Sequence, residues 1–173
     1  MENLENEVEK FSILRLTKED KNRSNVEEVV AREFPLTVIL NNQELVTILC
    51  SPANLRYLAI GFLSSEGLLN SKDEIKKILV DEQRGIVRLE TVEEKESAQE
   101  ILSKRMLTSG CGAGTTFFRA TDAATPKVES QVKISTDEIF SLANKFQHGS
   151  KVYLATHGVH SAALCDEKSI LAF

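Results

Sequence analysis

The sequence predicts a mixed α/β fold rather than a purely parallel one. Two features carry this. Short β-branched apolar runs recur along the chain, several of them facing each other across turn residues. Between them stand segments with helical periodicity and helix-capping residues.

Taken in order, the acidic start "MENLENEVEK" is expected to fray. "FSILRLT" reads as a first strand, "VEEVVAREF" as a second and "PLTVIL" as a third. "NNQE" supplies turn residues and "LVTILC" a fourth strand, so residues 35–50 form a hairpin. Ser51-Pro52 has the residue types that cap and open a helix. Leu55, Leu58, Ala59, Phe62 and Leu63 then recur at helical spacing, with Gly67 to close it. "SKDE" at 71–74 opens one short turn in a capping-box pattern. "KILVDEQRGIVRLETV" is a second hairpin turning at Gly85. Residues 93–107 are charged and ambiguous, with helical potential in "AQEILSKRML".

"TTFFRA" reads as a strand or a helix start, and "TDAATPK" as a loop. "STDE" at 135–138 is a second capping box, and Ile139, Phe140, Ala143 and Phe146 form the expected buried face of the helix behind it. Gly149 ends that helix, and His148 bonds its last carbonyls. "KVYLATH" is expected as a buried strand, and "SAALCD" and "SILAF" as two short runs around "DEKS". A chain that stops on a bare apolar strand is expected to be a piece of a longer protein.

The 173 residues carry a formal net charge of −5 and are 42% hydrophobic, which suits a globular chain with a real core. The acidic balance argues against nucleic acid as a partner, because such a surface needs a basic face. No apolar run reaches the length of a membrane span, and the N-terminus lacks the apolar core of a secretory signal. Three scattered cysteines do not make a disulfide framework, so a reducing, cytoplasmic setting is expected.

The most reactive-looking segment is "TSGCGAG", residues 108–114. Cys111 lies there between Gly110, Gly112 and Gly114, which let the backbone turn N–H groups toward the sulfur and leave room for a partner to reach it. Lys104 and Arg105 just upstream favour the thiolate, the reactive form. The opposing reading is a small residue in a turn. Cys50 and Cys165 end or sit in apolar runs and read as packing residues. "HGVH" places His157 and His160 three apart around a glycine. Such a pair suits acid–base work or anion contact, or is simply polar surface at a strand end. It lacks the spacing of a zinc-protease pair, and no Cys-x-x-Cys accompanies it, so no metal site is expected. There is no Walker loop and no G-x-G-x-x-G, and "GCGAG" lacks the Lys-Ser/Thr of a phosphate loop.

Four blocks in order resemble the FdhD family, the formate dehydrogenase accessory sulfurtransferases. They are Glu33-Phe34-Pro35-Leu36, Ser51-Pro52 with Gly61-Phe62-Leu63-Ser64-Ser65-Glu66-Gly67, Thr108-Ser109-Gly110-Cys111-Gly112, and Gly158-Val159-His160-Ser161-Ala162-Ala163. The resemblance implies a cytidine-deaminase-like α/β fold: a mixed sheet with flanking helices and an N-terminal β-hairpin region. Residues 1–107 would be the β-rich part with helices, and 108–173 the reactive-cysteine loop and the start of the deaminase-like core. It implies that Cys111 accepts a persulfide sulfur from a cysteine desulfurase and delivers it to the molybdenum or tungsten bis-pterin guanine dinucleotide cofactor of formate dehydrogenase. Gly110, Gly112, Gly114, His157 and His160 would contact that cofactor, and the protein would be a homodimer with no tightly held metal of its own. Many members carry a second cysteine where this chain has Gly114, which leaves a single-cysteine relay. The rival reading is a chaperone that holds the cofactor or docks the dehydrogenase without moving sulfur. A zinc deaminase is set aside, because His/Cys-x-Glu and Pro-Cys-x-x-Cys are both missing.

Overall fold

The computed structural model describes residues 4, 6–17, 23–93, 105–107 and 129–173. Its strands are β1 (Val8–Leu16), β2 (Arg23–Ala31), β3 (Phe34–Leu40), β4 (Gln43–Cys50), β5 (Ile75–Asp81), β6 (Ile86–Thr91), β7 (Arg105–Leu107), β8 (Leu164–Cys165) and β9 (Ile170–Ala172). Its helices are α1 (Leu55–Ser65), α2 (Thr136–Gly149) and α3 (Lys151–Thr156), with a 3₁₀ turn at Lys72–Glu74. The chain divides into two compact units, Arg32–Thr116 and Met1–Ala31 with Phe117–Phe173. This division cuts the chain at other places than the 107/108 boundary read from the sequence. The N-terminal hairpin belongs with the C-terminal helices because β2 packs against α3.

The first unit is built on β3. Its residues alternate inward and outward, burying Leu36, Val38 and Leu40 completely or nearly so. β4 pairs with it antiparallel and β6 pairs parallel along the other edge. The five strands run in the order β5-β6-β3-β4-β7, a mixed sheet as expected. Asn41 and Asn42 turn the β3–β4 hairpin with φ of 48° and 65°. Both lie in the left-handed region that a tight hairpin demands and that Asn tolerates. A register shift between Val38 and Ile39 leaves Leu45 as an extra residue in β4, and Leu45 and Val46 are then both buried.

The hairpin turn is fastened to the far strand by a reciprocal pair. Asn41 Nδ2 donates to Thr91 Oγ1 at 2.8 Å, and Asn41 Oδ1 accepts from the Thr91 N–H at 2.9 Å. Thr91 Oγ1 donates onward to the Glu93 carbonyl at 2.7 Å. Thr91 is buried, and these bonds satisfy its N–H and its hydroxyl. At the other end of β6, the Thr37 N–H donates to the Gly85 carbonyl at 2.7 Å. Gly85 has φ of +63°, and a Cβ there would stand 2.1 Å from the Pro35 carbonyl oxygen. Only glycine fits this turn.

α1 turns Leu55, Ala59 and Leu63 toward the core at four-residue spacing. Ser51-Pro52 does not cap it. The Ala53 N–H closes a tight turn onto the Ser51 carbonyl, and the chain enters the helix through left-handed Asn54, so the Ser51 hydroxyl comes three residues too early. The helix stops as expected at Gly67, with φ of +69°. The Leu68 N–H reaches the Leu63 carbonyl and the Gly67 N–H the Ser64 carbonyl, a Schellman arrangement. Ser71 caps the 3₁₀ turn through the Asp73 N–H, not the Glu74 N–H of the expected box. Residues 105–107, in the stretch left ambiguous with helical potential, form β7. They pair parallel with β4, as Val46 with Arg105 and Ile48 with Leu107.

The second unit holds the β1–β2 hairpin, registered from Val8 opposite Ala31 to Leu16 opposite Arg23. β1 begins at Val8, within the ten residues expected to fray. The capping box of α2 is complete, with the Glu138 N–H donating to Ser135 Oγ and the Ser135 N–H to the Glu138 carboxylate. The expected apolar face is not the buried one. Leu142 is buried, Phe146 is half-buried against Phe173 at 5.5 Å, and Ile139, Phe140 and Ala143 are exposed. The inward stripe thus runs through Leu142 and Phe146, one turn apart.

"KVYLATH" is helical, contrary to the strand expectation. Ser150 ends α2 and at once caps α3, accepting from the Tyr153 N–H at 3.1 Å. This local cap restarts the helix and outweighs the strand pattern, and only Val152 of the run is buried. His148 bonds the Asn144 carbonyl through Nδ1 at 2.8 Å, one turn back. The final hairpin, β8 with β9, turns on Asp166, whose carboxylate accepts from the Lys168 and Ser169 N–H groups and the Ser169 hydroxyl.

Two stability predictions follow from the backbone. Gly67→Ala costs about 1 kcal/mol, the left-handed penalty alone, because nothing stands where its Cβ would go. Gly85→Ala costs about 3 kcal/mol, since overpacking against the β3 backbone adds to the same penalty. Urea midpoints at unchanged slope measure both. A third concerns α2. The Ser135 hydroxyl, then the Ser135 N–H, hold the Glu138 carboxyl below its ordinary range. Its stabilisation is therefore present above the unfolded pKa and is lost as pH falls through the folded one. NMR titration should find the Glu138 pKa returned toward its ordinary value in Ser135→Ala.

Candidate functional site

The described residues end at Leu107 and resume at 129, so Cys111, Gly110, Gly112 and Gly114 lie outside them. The sheet nevertheless defines where their segment starts. Leu107, the last residue of β7, stands opposite Ile48 in β4, and the two strands run the same way. The chain therefore leaves the sheet edge at the end where β4 finishes, with Cys111 four residues on.

Cys50 occupies that end of β4 and behaves as a structural thiol. It is half-buried, and its Sγ points to the Phe34 carbonyl at 3.5 Å. Burial first, and the Glu33 charge second, push its pKa up. A raised pKa leaves little thiolate at neutral pH, so Cys50 is a poor nucleophile. Cys165 does not match its expectation as a packing residue. It lies in the two-residue strand β8 and is exposed, because β8 has only β9 beside it among the described residues.

The two histidines sit at a helix end, not a strand end. His157 is the left-handed residue that closes α3, with φ of 51°, its N–H bonded to the Tyr153 carbonyl at 2.7 Å. Its ring meets Tyr153 edge-on at 5.2 Å. His160 lines a cleft of about 310 Å³ together with Phe146, Gln147, Ser150, Tyr153 and Ser161. The structure thus separates the pair. His160 belongs to a concave surface with aromatic and hydrogen-bonding groups, whereas His157 stands outside it, against Tyr153. The partners of His160 were not legible in the sequence, since reading 151–157 as a strand gave Tyr153 no place beside α2. Among the described residues no three His, Cys, Asp or Glu side chains gather as a metal site. No helix among them is long and apolar enough to cross a membrane.

A five-stranded mixed sheet with α1 in one unit, and a hairpin with α2 and α3 in the other, make this an α/β protein. Its fold is similar to that of a crystal structure from Desulfotalea psychrophila described as a formate dehydrogenase accessory protein. The TM-score is 0.60 at 20% identity, covering 87% of this chain and 54% of that one. The sequence then assigns the family: a profile of the FdhD/NarQ family matches residues 31–173, and the chain belongs to that family. It is 42% identical over 149 residues to the sulfur carrier protein FdhD of Bacillus subtilis, covering 86% of this chain and 57% of that protein. It is 37% identical over 164 residues to the protein of the same name from Bacillus pumilus, covering 94% and 62%. The chain thus spans about three fifths of the length of these relatives.

The thiol environments predict an order of reactivity. With iodoacetamide near neutral pH, Cys50 should alkylate about tenfold more slowly than Cys165, because it is less accessible and burial raises its own pKa. Peptide mass spectrometry over a time course reads this directly.

Proposed function

We propose that the chain is a sulfur carrier that holds a persulfide on Cys111 for the maturation of formate dehydrogenase. The reading rests on one observation. Cys111 stands in Thr108-Ser109-Gly110-Cys111-Gly112, just beyond an edge strand paired to the central sheet, in a chain of the FdhD/NarQ family. The relatives' name, sulfur carrier protein, supports it. So does the elevated pKa of Cys50, which removes that thiol as a competitor.

The chemistry is thiol exchange. The Cys111 thiolate attacks the outer sulfur of a persulfide on a cysteine desulfurase. A new S–S bond forms to Cys111, the donor's S–S bond breaks, and the donor cysteine leaves as a thiolate. The carried atom is sulfane sulfur, so its arrival on molybdenum or tungsten as sulfide takes two electrons. A thiol reductant supplies them as two thiols become one disulfide, and Cys111 returns to its thiolate. The metal with its bis-pterin guanine dinucleotide is the substrate of this second step. Gly114 stands where many members have a second cysteine, so no resolving thiol is available at that position. Relay between thiols needs a reducing compartment, which favours the cytoplasm.

Gly110, Gly112 and Gly114 keep the thiol accessible to a protein donor and then to a bulky acceptor. His160, with His157 at the adjacent helix end, provides imidazole donors for the anionic cofactor, and the cleft beside α2 offers aromatic surface to its base.

Incubated with a desulfurase and cysteine, the chain should gain one sulfur on Cys111, seen by mass. Cys111→Ala should reduce this to background, while Cys50→Ala and Cys165→Ala retain it. A Cys111→Ala protein that still restores formate dehydrogenase activity in cells overturns the relay and favours the cofactor chaperone. His160→Ala should weaken guanine-nucleotide binding severalfold, and unchanged affinity would remove the histidine from the reading.

A further inference from the structure

The five-stranded sheet ends on β5, and the two halves of that edge differ. Among the described residues β5 pairs with β6 alone, so the backbone groups of its other side face outward. Over Ile75–Lys77 the edge is blunted by a register shift and by the exposed Lys76 and Lys77. Over Ile78–Asp81 the pairing is regular, from Ile78 opposite Leu89 to Asp81 opposite Ile86. Leu79 and Val80 are 50% and 36% exposed there. A regular, apolar, uncovered edge is a template for another strand.

The charges beside this edge indicate which strand fits. Leu79, Asp81, Ile86 and Arg88 share the face of the hairpin turned away from buried Val87 and Leu89. With Val80 and Arg84 they line a cleft of about 240 Å³. Asp81 is already engaged. Its carboxylate accepts from the Arg84 N–H at 3.0 Å and lies 3.8 Å from the Arg84 guanidinium. Arg88 stands between two apolar neighbours, Leu79 of β5 and Ile39 of β3, and makes no ion pair among the described residues. The charge left unanswered in the cleft is therefore a cation.

We propose that Ile78–Asp81 is a docking edge for an extended segment of a partner protein in which apolar and acidic residues alternate. The segment adds a strand to β5, and main-chain hydrogen bonds supply its affinity. A glutamate opposite Leu79 lays its stem along that side chain and meets Arg88. The apolar residues on either side of it fall on the opposite face, beside Ile78 and Val80. β6 and the guest strand are two strand spacings apart, about 10 Å. An arginine and a glutamate reaching toward each other span that distance. The edge is the border of the sheet opposite to β7, and it stands apart from the sulfur-carrier reading.

The probe is a synthetic peptide, acetyl-Thr-Val-Glu-Val-Thr-amide, added to the isotope-labelled full chain and followed by NMR. The amide signals of Ile78–Asp81 should shift, and their exchange with solvent should slow. The same peptide with lysine in place of glutamate should bind about fivefold more weakly, and Arg88→Glu should reverse that preference. Signals elsewhere that stay in place show that the variant is folded. A peptide N-methylated along its main chain should not bind. Absence of any shift at Ile78–Asp81 with millimolar peptide overturns the proposal. So does binding that is indifferent to the peptide's charge and to N-methylation. Equal shifts from N-acetylglutamate would make the cleft a site for small anions, and shifts that grow with protein concentration alone would give the edge to a second copy. Either outcome overturns the proposal as well.

Discussion

β3 is bonded along both edges and buried on one face, and the rest of its unit depends on that constraint. Antiparallel pairing with β4 and parallel pairing with β6 leave its register no freedom, because a one-residue slip would turn Leu36, Val38 and Leu40 away from the core. The parallel partner requires a crossover, and α1, the 3₁₀ turn and β5 supply it. Asn41 with Thr91 holds one end of this arrangement, and the close approach of Gly85 to Pro35 holds the other. β7 pairs along the outside of β4 and so inherits its position from β3.

The second unit is organised by short-range caps more than by a large core. Ser135 opens α2, Ser150 opens α3 one residue after α2 ends, and Asp166 gathers three donors to turn the last hairpin. Among the described residues there, Leu142 and Val152 are the buried ones. The restart at Ser150 brings Tyr153 beside Phe146 and Gln147, and this is what creates the cleft that His160 joins. A single hydroxyl thus links local helix chemistry to a concave surface.

Burial separates the two described cysteines, half-buried Cys50 and exposed Cys165. A thiol that ends a strand next to a carbonyl and a carboxylate is kept protonated, which is useful for packing and poor for transfer.

The strongly periodic and strongly capped elements were legible in the sequence. The Asn41-Asn42 hairpin, the Gly67 stop, the Gly85 turn and the Ser135 box are each written in residues whose own backbone preferences or hydrogen bonds act within a few positions. The family, too, could be read from its four motif blocks. What the sequence could not show depends on distant partners. It did not reveal that 105–107 becomes a strand, because that needs β4 alongside. It did not reveal which face of α2 turns inward, because several apolar stripes competed. Nor did it show that "KVYLATH" is helical, since β-branched and aromatic residues suit either state until a cap or a neighbour decides. Local chemistry thus determined where the chain turns, and tertiary packing decided which of its apolar surfaces are covered, because burial belongs to pairs of elements and not to one.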